Sequence, residues 1–117
     1  MARPRPHRIR RTLEFAAVRQ QGRSWKGRHV TIGLLPLENG PPRAGFAVTR
    51  RVGNAVTRNL VRRRLQAILA LSLADVPHPC LVVTIPRPSA AAVPFSELAA
   101  DWKKTARRAG LLPATSA

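Results

Sequence analysis

The sequence predicts a single layered α+β domain, and three observations predict it. A length of 117 residues supports one modest hydrophobic core and not two. Stretches of two-residue alternation and stretches of helical periodicity follow one another in the order helix, strands, helix, strand, helix. The hydrophobic content, 44%, is above that of a disordered basic chain, so most of the polypeptide is expected to be ordered. No internal repeat of solenoid length interrupts this order.

Residues 1–11, MARPRPHRIRR, carry prolines at positions 4 and 6 among five arginines and are predicted to form a flexible, extended basic arm. Thr12 is a helix N-cap candidate ahead of Leu13, Phe15, Ala16 and Val18, and Gly22 is a stop signal, so a short helix is expected between them. Val30, Ile32 and Leu34 alternate with Thr31, Gly33 and Leu35, which reads as a strand leaving through the turn-rich ENGPP of residues 38–42. Residues 44–50 alternate again, with Phe46 and Val48 on one face and Ala47 and Thr49 on the other; this segment is expected to pair with the preceding strand as a hairpin.

Gly53-Asn54 ends that strand. Asn54 is the candidate N-cap of a helix reaching about Leu73, in which Val61, Leu65, Ile68, Leu69 and Ser72 form the core stripe. At about 100° per residue, Asn59, Arg62 and Arg63 fall on the opposite side and Arg58 at its flank, giving an amphipathic helix with a basic outer face. After the VPHP break, residues 80–85 form a near-continuous apolar run, the pattern of a strand inside a sheet. Pro86, Pro88 and Pro94 bracket a loop. Residues 95–109 place Leu98, Trp102, Thr105 and Ala106 at helical spacing before the stop at Gly110. The predicted organisation is therefore an arm over 1–11, one domain over 12–110 and a disordered tail over 111–117.

The charge balance restricts function. Lys and Arg number 21 against 5 Asp and Glu, a formal charge of +16, and no acidic residue lies between Glu38 and Asp75. Such self-repulsion opposes folding, so a polyanionic partner is expected. The cations are mostly arginine, whose planar fork suits phosphate and base stacking, although a GC-rich genome favours arginine as well. The residues 50–66, RRVGNAVTRNLVRRRLQ, hold six arginines and no carboxylate. A merely solvated helix face mixes signs; an unmixed one is better explained by a nucleic-acid ligand.

Other classes find little support. The apolar run near residues 67–74 is broken by Ser72 and ended by Asp75, so no membrane span is expected, and the basic N-terminus lacks the apolar segment of a signal peptide. The cytoplasm is the expected location, and the single Cys80 fits it. Glu14, Glu38, Asp75, Glu97 and Asp101 read as surface or helix-end charges, and His7, His29 and His78 complete no nucleophilic set. His78 and Cys80 are too few for a metal site. The spacing of Gly22 and Gly27 fits a phosphate loop, but Arg28-His29 and a following strand do not. RAGFAVTR, residues 43–50, has the Gly-Phe of an RNA-recognition strand without its further aromatics, so Phe46 is assigned to the core.

The stretch AVTRRVGNAVTRNLVRRRLQ resembles the bacterial ribonuclease P protein subunit, with its Gly-Asn-Ala-Val turn followed by an Arg-Asn-Arg helix. LEFAAVRQQG (residues 13–22) is similar to that family's first helix, VVTIPRPSA (82–90) to its last strand and exit, and the Trp- and Lys-bearing segment to its final helix, so the resemblance spans roughly residues 8–108. The sequence departs from the family at Leu60, which replaces the second Arg of Arg-Asn-Arg, at Arg19, which replaces an aromatic, and at Gly33, which replaces a cleft aromatic.

The resemblance implies an αβββαβα sandwich-like fold, ribosomal-protein-S5-domain-2-like, with a short extra strand near residues 24–26. It also implies a left-handed βαβ crossover, a rare hand. It implies a subunit of a ribonucleoprotein endonuclease that removes the 5′ leader of precursor tRNA, with the chemistry and the Mg²⁺ carried by the catalytic RNA and no catalytic or metal-binding residue in the protein. It further implies that Arg50, Arg51, Asn54, Arg58, Asn59, Arg62 and Arg63 bind catalytic RNA. Phe15, Arg19, Thr31, Gly33, Ala47 and Thr49 are then expected to line a cleft for the leader, with no membrane and no obligatory protein partner. The competing expectations are a ribosomal or ribosome-assembly RNA-binding protein, which shares the composition but not the Gly-Asn-Ala-Val-x-Arg-Asn run, and a DNA-binding regulator, against which the lack of a short helix before Asn54 speaks.

Overall fold

The computed structural model describes residues 12–72, 76 and 79–112, and of residues 12–14 the backbone alone. Helix α1 (Thr12–Gln21) leads into strands β1 (Arg23–Lys26), β2 (Val30–Pro36) and β3 (Arg43–Phe46). A 3-10 turn (Arg50–Val52) precedes helix α2 (Ala55–Ser72), then come strand β4 (Cys80–Pro86), a second 3-10 turn (Pro88–Ala91) and helix α3 (Phe95–Arg108). The four strands form one sheet in the order β1-β2-β4-β3. This is the mixed α+β architecture expected, including the short strand that only the resemblance implied. The expected flexible arm and the side chain of the Thr12 N-cap candidate lie outside the described residues.

The hairpin expectation is wrong. β2 pairs antiparallel with β4, from Val30 opposite Pro86 to Pro36 opposite Cys80, and β3 pairs parallel with β4 instead, from Arg43 opposite Leu81 to Phe46 opposite Thr84. Alternation identifies a strand but not its neighbour. Here the six residues between β2 and β3 carry the chain past the start of β4, where Leu37 N donates to Pro79 O. The β3 segment also ends early. Ala47 N still donates to Thr84 O, but the backbone then leaves the sheet, so Thr49 and Arg50 belong to the entry of the 3-10 turn and not to a strand. The parallel pair requires a crossover, which α2 supplies. β4, paired on both edges and covered on both faces, is the strand whose side chains are nearly all buried, as its near-continuous apolar run predicted.

The register sorts the side chains. Trp25, Val30, Ile32, Leu34, Ala44, Phe46, Cys80, Val82 and Thr84 share one face, packed by Val61, Leu65, Ile68 and Leu69 of α2 and by Leu98, Trp102 and Ala106 of α3. Trp102 is fully buried and its Nε1 donates to Thr84 Oγ1 at 3.0 Å, pinning α3 to the middle of the sheet. Among the described residues the opposite face is covered by α1, where Val18 packs on Leu81 and Val83 with Phe15, Leu35, Leu37 and Ala47 around them.

Two terminations depend on glycine. Gly22 N donates to Val18 O, and a Cβ at Gly22 would lie 2.5 Å from that oxygen and 2.6 Å from Leu34 O, so only glycine lets α1 turn directly against β2. At Gly110, φ is +77°, Gly110 N donates to Arg107 O and Leu111 N to Ala106 O, the two bonds of a Schellman motif. That motif turns Leu111 inward, where it is fully buried, with Leu112 packed against the same core. The folded chain thus extends past the boundary expected at residue 110; residues 113–117 lie outside the described part. No helix among the described residues is long and apolar enough to cross a membrane.

Candidate nucleic-acid interface

Asn54 caps α2 as expected, its Oδ1 accepting from Thr57 N at 2.9 Å, and no acidic residue occupies the first turn. The positive end of the helix dipole therefore meets arginines instead of carboxylates. Arg50 and Arg51 stand exposed on the 3-10 turn just upstream; Asn59 and Arg63 are exposed on α2, and Arg58 and Arg62 are half-buried. The structure thus moves Arg62 from the outer face to the flank. The outermost line of α2 runs through Val56, Leu60, Arg63, Ala67 and Leu71, at helical spacing, with Val56 79%, Leu60 46% and Leu71 77% exposed. The basic outer face expected is thus shared with an apolar stripe, flanked by arginines.

Arg64, also half-buried, donates from Nη1 to Val93 O at 3.0 Å and so holds α2 to the segment preceding α3. The Nε of Arg58 is buried without a hydrogen-bond partner among the described residues. The ion pair found among those residues is His29 with Glu97, so none of Arg50, Arg51, Arg58, Arg62, Arg63 and Arg64 is neutralised by a carboxylate there.

On the other side of the sheet, the expected cleft residues are brought together in part. Thr31, opposite Ile85, and Gly33, opposite Val83, point to the face that α1 covers, and Phe15 and Ala47 pack around Val18, Leu81 and Val83. Arg19 is exposed in the last turn of α1. Thr49 lies off the sheet and is exposed. Gly33 is explained by its neighbour: a Cβ there would meet Val18 Cγ1 at 3.0 Å, so Val18 occupies the space over the strand that a larger residue at 33 would need. Ile85, 38% exposed, extends the apolar floor beyond α1.

One polar network had no local signal in the sequence. Asp101 of α3 accepts from the backbone N–H groups of Arg28 (2.9 Å), His29 (2.7 Å) and Val30 (3.2 Å), clasping the turn between β1 and β2. His29 is buried, with Nδ1 2.8 Å from Ser89 Oγ and Nε2 2.8 Å from Glu97 Oε2. The partners lie 60 to 73 residues apart in sequence, which is why spacing arguments miss them.

Serine, histidine and glutamate in hydrogen-bonded order have the outline of a nucleophilic triad. The next backbone N–H, that of Ala90, is donated to Arg87 O and cannot serve an oxyanion. The network is a structural clamp joining the second 3-10 turn, the start of β2 and α3. No cluster able to hold a metal ion occurs among the described residues. Cys80 is buried at the start of β4, and burial pushes its thiol up to about 11, the mark of an inert structural cysteine.

Fold and surface together define a small α+β domain whose crossover helix and sheet end present arginines that have no carboxylate partner among the described residues. A family model described as Ribonuclease P matches residues 3–110. The ribonuclease P protein component of Acidothermus cellulolyticus is 42% identical over 103 residues, covering 86% of each chain, and that of Kocuria rhizophila is 36% identical over 100 residues. The fold is similar to those of the RNase P proteins of Staphylococcus aureus (TM-score 0.84, 19% identity, 92% of this chain and 99% of that one) and Thermotoga maritima (TM-score 0.78, 22% identity, 86% and 96%). The chain belongs to the ribonuclease P protein family.

Proposed function

We propose that the protein is the RNA-binding subunit of a cytoplasmic ribonucleoprotein endonuclease that removes the 5′ leader of precursor tRNA, with the hydrolysis and its Mg²⁺ carried by a catalytic RNA. The observation that carries this reading is the set of arginines on and before α2 that have no carboxylate partner among the described residues, in a chain of formal charge +16. Arg50, Arg51, Arg58, Asn59, Arg62 and Arg63 contact the phosphates of the catalytic RNA. The unpaired Nε of Arg58 supports its place there, since a buried donor without an acceptor is unfavourable by about 1–3 kcal/mol until one is supplied. Asn54 acts by capping the helix that carries them.

The face under α1, with Phe15, Thr31 and Ala47 beside Gly33 and with Arg19 and Thr49 at the margins, receives the single-stranded leader. With Phe15 as the aromatic among these six residues, backbone charge contributes more than stacking, which gives weak sequence preference. A polycation where RNA segments converge lowers their mutual repulsion and releases counterions, so less Mg²⁺ is needed.

Reconstitution tests the reading. Added to a bacterial catalytic RNA at low Mg²⁺, the protein is expected to restore leader removal while having no such activity alone; cleavage by the nuclease-free protein, or no stimulation of the RNA, overturns it. Replacing Arg58, Arg62 and Arg63 by Gln is expected to reduce the slope of log affinity against log salt by about 0.7–0.9 per lost phosphate contact. Phe15→Ala is expected to weaken precursor tRNA binding and leave mature tRNA binding unchanged; equal weakening removes the cleft assignment.

A further inference from the structure

A second basic site lies away from α2 and from the α1 face. The turn between β1 and β2 and the outer side of α3 enclose a cleft of about 350 Å³ whose walls include Lys26, Arg28, Lys104 and Arg108 together with Glu97 and Asp101. The volume falls in the range of small-ligand sites, about 300–1,000 Å³.

The two carboxylates are engaged in the wall. Asp101 accepts the three backbone N–H groups of the turn, and Glu97 Oε2 meets His29 Nε2. Arg108 gives Nη1 to Lys26 O at 2.9 Å, which fixes the cleft's width. Lys26, Arg28 and Lys104 are exposed and have no carboxylate partner among the described residues. Four cations against two hydrogen-bonded acids leave the cleft positive, and the backbone amides that could cradle an anion are already taken by Asp101. A ligand is thus held by the side-chain ends, as an oxyanion is by lysine and arginine.

The location adds an argument. β1, β3 and β4 all finish, and β2 starts, at the same end of the sheet. At that end Arg87 donates its backbone N–H to His29 O at 2.8 Å and its Nη1 to Gly27 O at 3.4 Å, and the turn carrying Arg50 and Arg51 follows β3. Cations therefore continue from the start of α2, through Arg87, to Arg28 and Lys26.

We propose that the cleft between the β1–β2 turn and α3 binds the phosphodiester backbone of an RNA strand through Lys26, Arg28 and Lys104, as a second phosphate site. It extends the interface of α2 around the sheet end. The identity of the ligand as RNA rests on the function proposed above; the existence of an anion site does not.

Two measurements on the full chain keep these apart. In the first, the ¹⁵N-labelled protein is titrated with inorganic pyrophosphate at constant ionic strength. Saturable shifts are expected at the amides of Gly27, Arg28 and Lys104, lost in Lys26→Gln/Lys104→Gln and retained in the charge-keeping Lys26→Arg/Lys104→Arg. Absence of saturable shifts, or equal shifts in the Gln variant, overturns the site.

In the second, the salt dependence of binding is measured separately for the catalytic RNA and for a single-stranded leader oligonucleotide. The Gln variant is expected to lower the slope by about 0.7–0.9 per lost contact for whichever RNA occupies the cleft. If neither slope moves while Arg62→Gln/Arg63→Gln lowers that for the catalytic RNA, the cleft assignment fails and the proposed function stands. If neither variant moves any slope, both fail.

Discussion

Trp102 and Asp101 illustrate how single side chains of α3 hold the sheet. Trp102→Phe keeps most of the apolar volume but leaves Thr84 Oγ1 without its buried partner, and a loss of about 1–3 kcal/mol in urea unfolding free energy is expected. Asp101→Ala frees three N–H groups of the β1–β2 turn at once; faster amide hydrogen exchange at Arg28, His29 and Val30 is the expected signature, with α2 protection unchanged. Cys80, whose thiol burial pushes up to about 11, is expected to resist thiol reagents at pH 8 in the folded protein and to react on unfolding. Sequence reasoning recovered some of these residues and missed others for a definite reason. The inert Cys80 and the buried Trp102 follow from local pattern. The Asp101 clasp and the His29 network depend on contacts across 60 to 73 residues, to which composition and spacing are blind.

At the level of elements, α2 shows where capping and ligand binding separate. Asn54→Ala removes the side-chain acceptor for Thr57 N and is expected to lower stability by about 1 kcal/mol, whereas Asn54→Ser restores both stability and RNA affinity if the residue acts as a cap. Gly22→Ala drives a methyl into Val18 O and Leu34 O and is expected to shift α1 off β2, destabilising by about 1–3 kcal/mol in the manner of an overpacked contact. The Asn54 cap, the core stripe of α2 and the central place of residues 80–85 were legible in the sequence, because each is written in local chemistry. The partner of β3 was not. Alternation at residues 44–48 is equally compatible with a hairpin and with a crossover, and the packing of α2 and the two-sided burial of β4 decide between them. Leu111 was missed because a frayed tail and a Schellman motif begin alike; only the core that receives the leucine distinguishes them.

For the whole molecule, the charge excess makes the folded state salt-sensitive. With a formal charge of +16, the free protein is expected to gain thermal stability as ionic strength rises from low values, and to gain more from a polyanion at the same charge concentration, as measured by scanning calorimetry. The candidate RNA-facing arginines were legible as a charge run; the sequence alone did not reveal that Arg64 is spent on Val93 or that Leu60 and Val56 share their face. The seating of β4 between β2 and β3 also bears on biosynthesis. As the chain leaves the ribosome, β1 and β2 can zip together at once, but β3 has no neighbour until residues 80–86 emerge, and the arginine-bearing helix precedes them out of the exit tunnel. The nascent protein thus displays its cationic segment before its scaffold is closed, an interval in which stray polyanions compete with the proper companion.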